Sequence, residues 1–127
     1  MKILCLDCNS FSFQLDHPTP VAEKVDSQSG SYADALVAFI AIEPGDSKKT
    51  DDCARVLKEL KEKSGNSNLL LNPFAHLSSE LAKPKEAIEV LDSLCKKVPC
   101  KRASFGWYKS FTVSVKGHAN SQIFRSV

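Results

Sequence analysis

No apolar run in this 127-residue chain approaches the roughly 18 residues of a transmembrane helix, which argues against a membrane-spanning segment. Met1-Lys2 runs directly into Ile3-Leu4 without the long apolar block and small-residue cleavage site of a secretory signal, so a cytoplasmic protein is expected. Charge of one sign is also scarce. Seventeen Lys and Arg against fifteen Asp and Glu leave a net charge of +2, too little for the clustered basic face of a general nucleic-acid binder. Any RNA contact is expected to be narrow, confined to a strand end. Internal repeats and low-complexity tracts are missing as well.

The five cysteines are an odd number, and nothing suggests an oxidising compartment, so reduced thiols are expected. Cys5-x-x-Cys8 and Cys95-x-x-x-x-Cys100 could be joined into a zinc site. A zinc ribbon, however, presents paired ligands on turns, whereas these pairs fall inside a predicted strand and a predicted helix. With 43% hydrophobic and 25% charged residues, the composition is that of an ordinary globular domain. A chain of this length forms one domain and buries roughly two-thirds of the surface its unfolded form exposes.

Ile3-Leu4-Cys5-Leu6 and the alternating Phe11-Ser12-Phe13-Gln14-Leu15 read as two strands joined by a tight turn at Asn9-Ser10, an opening β-hairpin. His17-Pro18-Thr19-Pro20 stops the second, and the polar run from Asp26 to Ser31 reads as a surface loop. Ala35 to Ile42 is continuously apolar, the pattern of a central strand covered on both faces, and Glu43-Pro44-Gly45-Asp46 ends it. Thr50 is a candidate cap for a helix with Asp51 and Asp52 in its first turn; Cys53, Val56, Leu57 and Leu60 recur at helical spacing, and Gly65 is its stop. Asn68 to Asn72 reads as a buried strand. Pro84 suits the first turn of a second helix, with Ala87, Ile88, Leu91, Leu94 and Cys95 as its apolar stripe and Lys96-Lys97 at its end. Phe111 to Val115 alternates as a last strand before Gly117 and a polar tail. Both amphipathic helices need a sheet to cover, so the fold class is α/β.

His76 falls just beyond a buried strand, where α/β folds place ligand sites. Taken alone it reads as a capping or core-edge histidine. Tyr108 and Lys109 follow Phe105-Gly106-Trp107, where glycine permits close backbone approach and the aromatics offer flat apolar surface. Ser78 and Ser79 beside His76 invite a serine-hydrolase reading, but there is no G-x-S-x-G elbow and no evident orienting acid.

The run Asn72-Pro73-Phe74-Ala75-His76-Leu77-Ser78-Ser79-Glu80-Leu81-Ala82-Lys83-Pro84, with Phe105-Gly106-Trp107-Tyr108-Lys109-Ser110-Phe111 and Lys116-Gly117-His118 downstream, resembles the N-terminal editing domain of archaeal threonyl-tRNA synthetases. The likeness extends over nearly the whole chain. It implies a single compact domain over residues 1–127 with the D-aminoacyl-tRNA deacylase-like fold, a mixed β-sheet packed with two main helices. It also implies hydrolysis of misacylated tRNA, with the aminoacylated 3′ end of tRNA as partner, a homodimeric assembly, and neither metal nor other cofactor. The family's active-site histidine carries over to His76 and its tyrosine-lysine pair to Tyr108 and Lys109. Ile42 and Ala75 would line the aminoacyl pocket, and backbone N–H groups near Ala75-His76 and Phe105-Gly106 would help stabilise developing charge. His118 would shape the pocket rim.

The chain departs from the family's pattern in three places. Asp7-Cys8-Asn9 replaces a His-Ser-Asp-like run, Ala119 follows Gly117-His118 where a proline is usual, and the neutral Gln122 stands where an acidic residue is expected near the site. Gln122 can donate and accept hydrogen bonds but cannot act as a carboxylate base. Nothing resembles an ATP-binding synthetase core, so the chain is expected to be part of a longer synthetase or a stand-alone companion. Removal of serine from threonine tRNA is the leading reading. Action on D-aminoacyl-tRNA, and an inactive tRNA-binding or dimerisation module, are its rivals.

Overall fold

The computed structural model describes every residue except Asp26. Six strands and two helices follow one another as β1 (Lys2–Pro18), β2 (Ser29–Ala41), α1 (Thr50–Ser64), β3 (Leu69–Pro73), α2 (Pro84–Lys97), β4 (Lys101–Arg102), β5 (Trp107–Val115) and β6 (Gln122–Ser126). The sheet runs β4-β3-β2-β1-β5, with β6 also paired to β1. It is mixed: β2 and β4 lie parallel to β3, and the pairs of β1 with β2, β5 and β6 are antiparallel.

β2 is the centre, as its apolar run implies, and its two faces serve two cores. Leu36, Ala38, Ile40 and Ile42 point into the layer covered by the helices, where they meet Leu57, Leu60, Leu91 and Leu94. Ala35, Val37 and Phe39 point the other way, into a cluster with Cys8, Phe11 and Leu70. The period of two along a strand buried on both sides makes this division. α1 carries Asp51 and Asp52 in its first turn and ends at Gly65, whose φ of 71° is the left-handed stop. α2 begins with Pro84 in its first turn.

The structure corrects several expectations. Residues 2–18 form one continuous strand instead of a hairpin; the Asn9-Ser10 region is a β-bulge, where the register against β5 shifts between Cys8 and Ser10. Both halves of β1 find partners in β2, from Lys2 opposite Ala41 to Gln14 opposite Ser29, so extra backbone is absorbed as a bulge and needs no turn. The opening hairpin therefore pairs β1 with β2. Ser29 to Ser31, assigned to a loop, belong to β2, while Asp26 in that same expectation lies outside the described residues. Lys49 occupies the N-cap of α1 without a side-chain bond, and Thr50 is the first helical residue. Val90 is buried on the stripe of α2, while Ile88 is only partly so. The polar tail contains β6, which pairs Gln122 with Leu6 and Ser126 with Lys2.

Candidate active site

The parallel pair β2 and β3 ends side by side, and the chain leaving β3 folds back across the end of β2. Phe74 N–H donates to the Ile40 carbonyl at 2.9 Å, and Ala82 N–H donates to the Ile42 carbonyl at 2.9 Å. These two bonds pin the stretch between Pro73 and Pro84 over the carboxyl ends of parallel strands, the place where such sheets accept ligands. A cavity of about 510 Å³ opens there. Ile40, Ile42, Ala82, Ala87 and Leu91 give it an apolar wall; Phe74, Ala75 and His76 form one lip, and Phe105 to Lys109 with Phe111 form the facing one.

The facing lip is held by a backbone geometry that only glycine suits. Gly106 has φ of 83°, and a Cβ there would lie 2.7 Å from both the Ala22 Cα and the Val21 carbonyl oxygen. Thr19 N–H and Thr19 Oγ1 both donate to the Gly106 carbonyl, at 2.9 and 2.6 Å. Glu23 completes the clasp: its Oε1 accepts the Phe105 N–H at 2.7 Å, and its carboxylate receives two bonds of 2.7 Å from Arg102. The Arg102 guanidinium beside Glu23 holds that carboxyl below its usual range. Because the Phe105 amide is engaged in this way, it cannot serve as the oxyanion donor suggested by the sequence.

Lys109 reaches into this enclosure. Its Nζ donates to Asn72 Oδ1 at 3.3 Å, and Asn72 is buried at the end of β3. Burial lowers the Lys109 ammonium to about 8, with Glu23 pulling it up and Arg102 pushing it down. A partly desolvated cation beside apolar walls is a strong donor for an oxyanion, since the low local dielectric amplifies its field.

The other expected residues fall as follows. Ile42, Ala75, His76, Phe105, Gly106, Tyr108 and Lys109 all line the cavity. The His76 ring is exposed and packs edge-on against Phe74 at 5.1 Å. Tyr108 directly precedes Lys109 on β5, so its side chain leaves the strand on the other side; the residue is 56% exposed and its ring leans on His17 at 4.5 Å. Gln122 is not among the lining residues; it lies exposed at the start of β6. His118 does not shape the rim either. Its Nε2 meets the buried Asp7 carboxylate at 2.7 Å, joining Lys116 and Asn66 around that group.

Ser78 is occupied structurally. Its hydroxyl donates to Glu43 Oε2 at 2.6 Å, so it forms no nucleophile–base pair with His76. Among the described residues, no group of three His, Cys, Asp or Glu side chains is placed to hold a metal ion. Sequence reasoning missed Asn72, Glu23 and Arg102. Asn72 carried a signal, a polar residue closing the apolar run Leu69-Leu70-Leu71; Glu23 carried none.

The family's sequence model, described as the Archaea-specific editing domain of threonyl-tRNA synthetase, matches residues 1–127. This chain belongs to that family. It is 37% identical over 137 aligned residues to a threonine–tRNA ligase of Methanosarcina acetivorans, and 36% identical to those of Methanosarcina mazei and Thermofilum pendens. Each alignment covers all of this chain and 22% of the relative, so the chain spans about a fifth of those proteins. Among solved structures, a c-Myc DNA unwinding element binding protein superposes with a TM-score of 0.63 over 100% of this chain and 99% of the other at 14% identity. That likeness concerns the fold: one α/β domain with a mixed sheet and two helices, the D-aminoacyl-tRNA deacylase-like arrangement expected from the resemblance.

Proposed function

We propose that this domain hydrolyses serine from threonine tRNA that has been wrongly charged. The observation that carries the reading is Lys109, an ammonium drawn into an apolar cavity at the family's own motifs, with no serine or cysteine nucleophile paired to a base beside it. Serine lacks one methyl of threonine, and a methyl contact discriminates by only about 1–3 kcal/mol, so a second hydrolytic sieve has a physical purpose.

An aminoacyl ester is already activated. The site then needs to position ester and water and to stabilise the oxyanion, which is the work assigned to Lys109. His76 and Tyr108, at the two lips, would hold the terminal nucleotide and water, with Ile42 and Ala75 against the amino-acid side chain. The ribose hydroxyl next to the ester would orient the attacking water. The same reading takes the aminoacylated 3′ end of tRNA as partner, and the domain as a cytoplasmic homodimer working with the catalytic part of threonyl-tRNA synthetase. Exposed Phe124 on the surface of β6 favours such pairing.

Release of amino acid from purified seryl-tRNA(Thr), threonyl-tRNA(Thr) and D-aminoacyl-tRNA tests the reading. Selective loss of L-serine supports it. Preference for D-esters would move the activity to chiral proofreading, and no turnover on any ester would leave a binding module. Seryl-tRNA whose terminal ribose lacks the neighbouring hydroxyl should bind yet react very slowly.

A further inference from the structure

We propose that Cys95 and Cys100 form a peroxide-reactive thiol pair that closes to an intramolecular disulfide. Their sulfurs lie 3.3 Å apart, with the Cys100 thiol donating to Cys95 Sγ. A disulfide needs about 2.05 Å, so closure asks for a relative movement of only about 1.3 Å.

The elements carrying the two sulfurs can supply that movement. Cys95 sits in the last turn of α2, and Cys100 immediately precedes β4, a two-residue edge strand that, among the described residues, is laddered to β3 alone. Cys100 lines an open groove of about 510 Å³ with Tyr32, Asn68 and Lys101, and Cys95, outside that lining, is itself half-buried, so a small oxidant can reach its sulfur from solvent.

All five cysteines are free thiols, and their surroundings divide them sharply. Cys5, Cys8 and Cys53 are buried, and burial pushes them up to about 12, 11 and 12, so they carry almost no thiolate at neutral pH. Cys95 is shifted the other way: the hydrogen bond from Cys100 stabilises its thiolate, and Arg102 adds attraction, against partial burial and Asp92. Cys100, as donor, is raised. The pair therefore contains an attacking sulfur and a resolving one.

The chemistry balances with a hydroperoxide as oxidant. The Cys95 thiolate attacks the terminal peroxide oxygen; an S–O bond forms, the O–O bond breaks, and the leaving oxygen takes a proton to become water or an alcohol. Cys100 sulfur then attacks Cys95 sulfur, the S–O bond breaks, and hydroxide leaves with the Cys100 proton as water. Two thiols lose two electrons and one peroxide gains them.

Treatment of the folded protein with hydrogen peroxide, followed by intact mass and non-reducing tryptic mapping, tests the proposal. Trypsin cuts after Lys96, Lys97 and Lys101, so the disulfide appears as the Cys95 peptide joined to the Val98–Lys101 peptide. The expected result is one chain lighter by two hydrogens, restored by dithiothreitol. Cys100→Ser should leave Cys95 as a sulfenic acid trapped by dimedone, and Cys95→Ser should leave Cys100 as a thiol. Absence of the joined peptides from the oxidised wild-type protein, a link between chains, or equal dimedone labelling of Cys5, Cys8 and Cys53 overturns it.

Discussion

Lys109 Nζ lies 3.3 Å from Asn72 Oδ1, although the strand ladders place these residues far apart. Lys109 pairs with Leu15 on β1, whereas Asn72 is in line with Phe39 and, through it, with Leu4. Eleven residues of straight strand between Leu4 and Leu15 would span roughly 36 Å. The register shift between Cys8 and Ser10 falls inside that stretch, and a bulge bends the strand that carries it, which lets β5 reach over the end of β3. Phe111 thereby meets Phe39 at 5.7 Å and Phe74 at 6.3 Å, closing the enclosure with aromatic surface.

Loss of this cation should be the most damaging change at the site. Lys109→Ala is expected to slow deacylation of seryl-tRNA on the order of 10²-fold or more, the scale of one lost oxyanion donor. Asn72→Ala removes the bond that aims the ammonium and should cost about tenfold, as expected for a hydrogen bond to a charged group. Gln122→Glu, outside the cavity, should leave the rate unchanged. Single-turnover rates at saturating protein separate these effects from tRNA binding; a Gln122 effect as large as that of Lys109 would require a different site.

Gly106→Ala should reshape the facing lip. A non-glycine residue at φ of 83° costs about 1–3 kcal/mol, and the new methyl would meet the Ala22 backbone, which cannot rotate away as a side chain could. Denaturant unfolding should show the lost stability, accompanied by weaker editing because Tyr108 and Lys109 follow directly in the chain. Full stability would mean that the 19–23 segment yields easily.

The strand β2, both helices and the site-bearing motif run could be read from the sequence because each rests on a local pattern. Ala35 to Ile42 is apolar without interruption, α1 and α2 carry stripes at helical period, and Pro84 marks a helix start. The bend in β1 could not be read that way. Its alternation is interrupted at Asn9-Ser10 as a turn would interrupt it, and only the ladder with β2, formed at long range, turns that interruption into a bulge. β6 was hidden for the same reason: Gln-Ile-Phe-Arg-Ser offers two apolar residues and becomes a strand through the edge of β1. Within the site, His76, Tyr108 and Lys109 were legible through family motifs, whereas Glu23 and Arg102 meet across 79 residues of chain without a pattern that announces them.

Ser78 should matter for stability in acid and little for catalysis. The hydrogen bond from Ser78 holds the Glu43 carboxyl down to about 2 from an ordinary 4.5, with the Met1 ammonium and Lys2 adding to it against partial burial. A carboxyl depressed in the folded state contributes stability above its unfolded value, and that contribution is lost as pH falls from 4.5 towards about 2. Ser78→Ala should therefore cost about 1.5–3 kcal/mol near neutrality, and the deficit should shrink as Glu43 protonates. Its deacylation rate should stay far closer to wild type than that of Lys109→Ala. Denaturation midpoints across that acid range, beside one deacylation assay, check both halves.

The pH dependence of editing distinguishes a charged Lys109 from a neutral one. Burial brings its ammonium to about 8 from the ordinary 10.5, so it is protonated below that value and loses its proton just above it. If the cation stabilises the oxyanion, the enzymatic rate, with spontaneous ester hydrolysis subtracted, should fall roughly tenfold per pH unit beyond about 8. Glu23 is the nearby negative charge that pulls this group up, while Arg102 pushes it down. Glu23→Gln keeps an oxygen for the Phe105 amide and removes the charge, so the break should move to lower pH. Stability carries the opposite sign: the unfolded lysine stays protonated up to 10.5, so the burial that opposes folding below about 8 is relieved as pH rises between those values. A rate that climbs through pH 8 in wild type and loses that rise in Lys109→Ala would make Lys109 a general base, and the oxyanion role would be wrong.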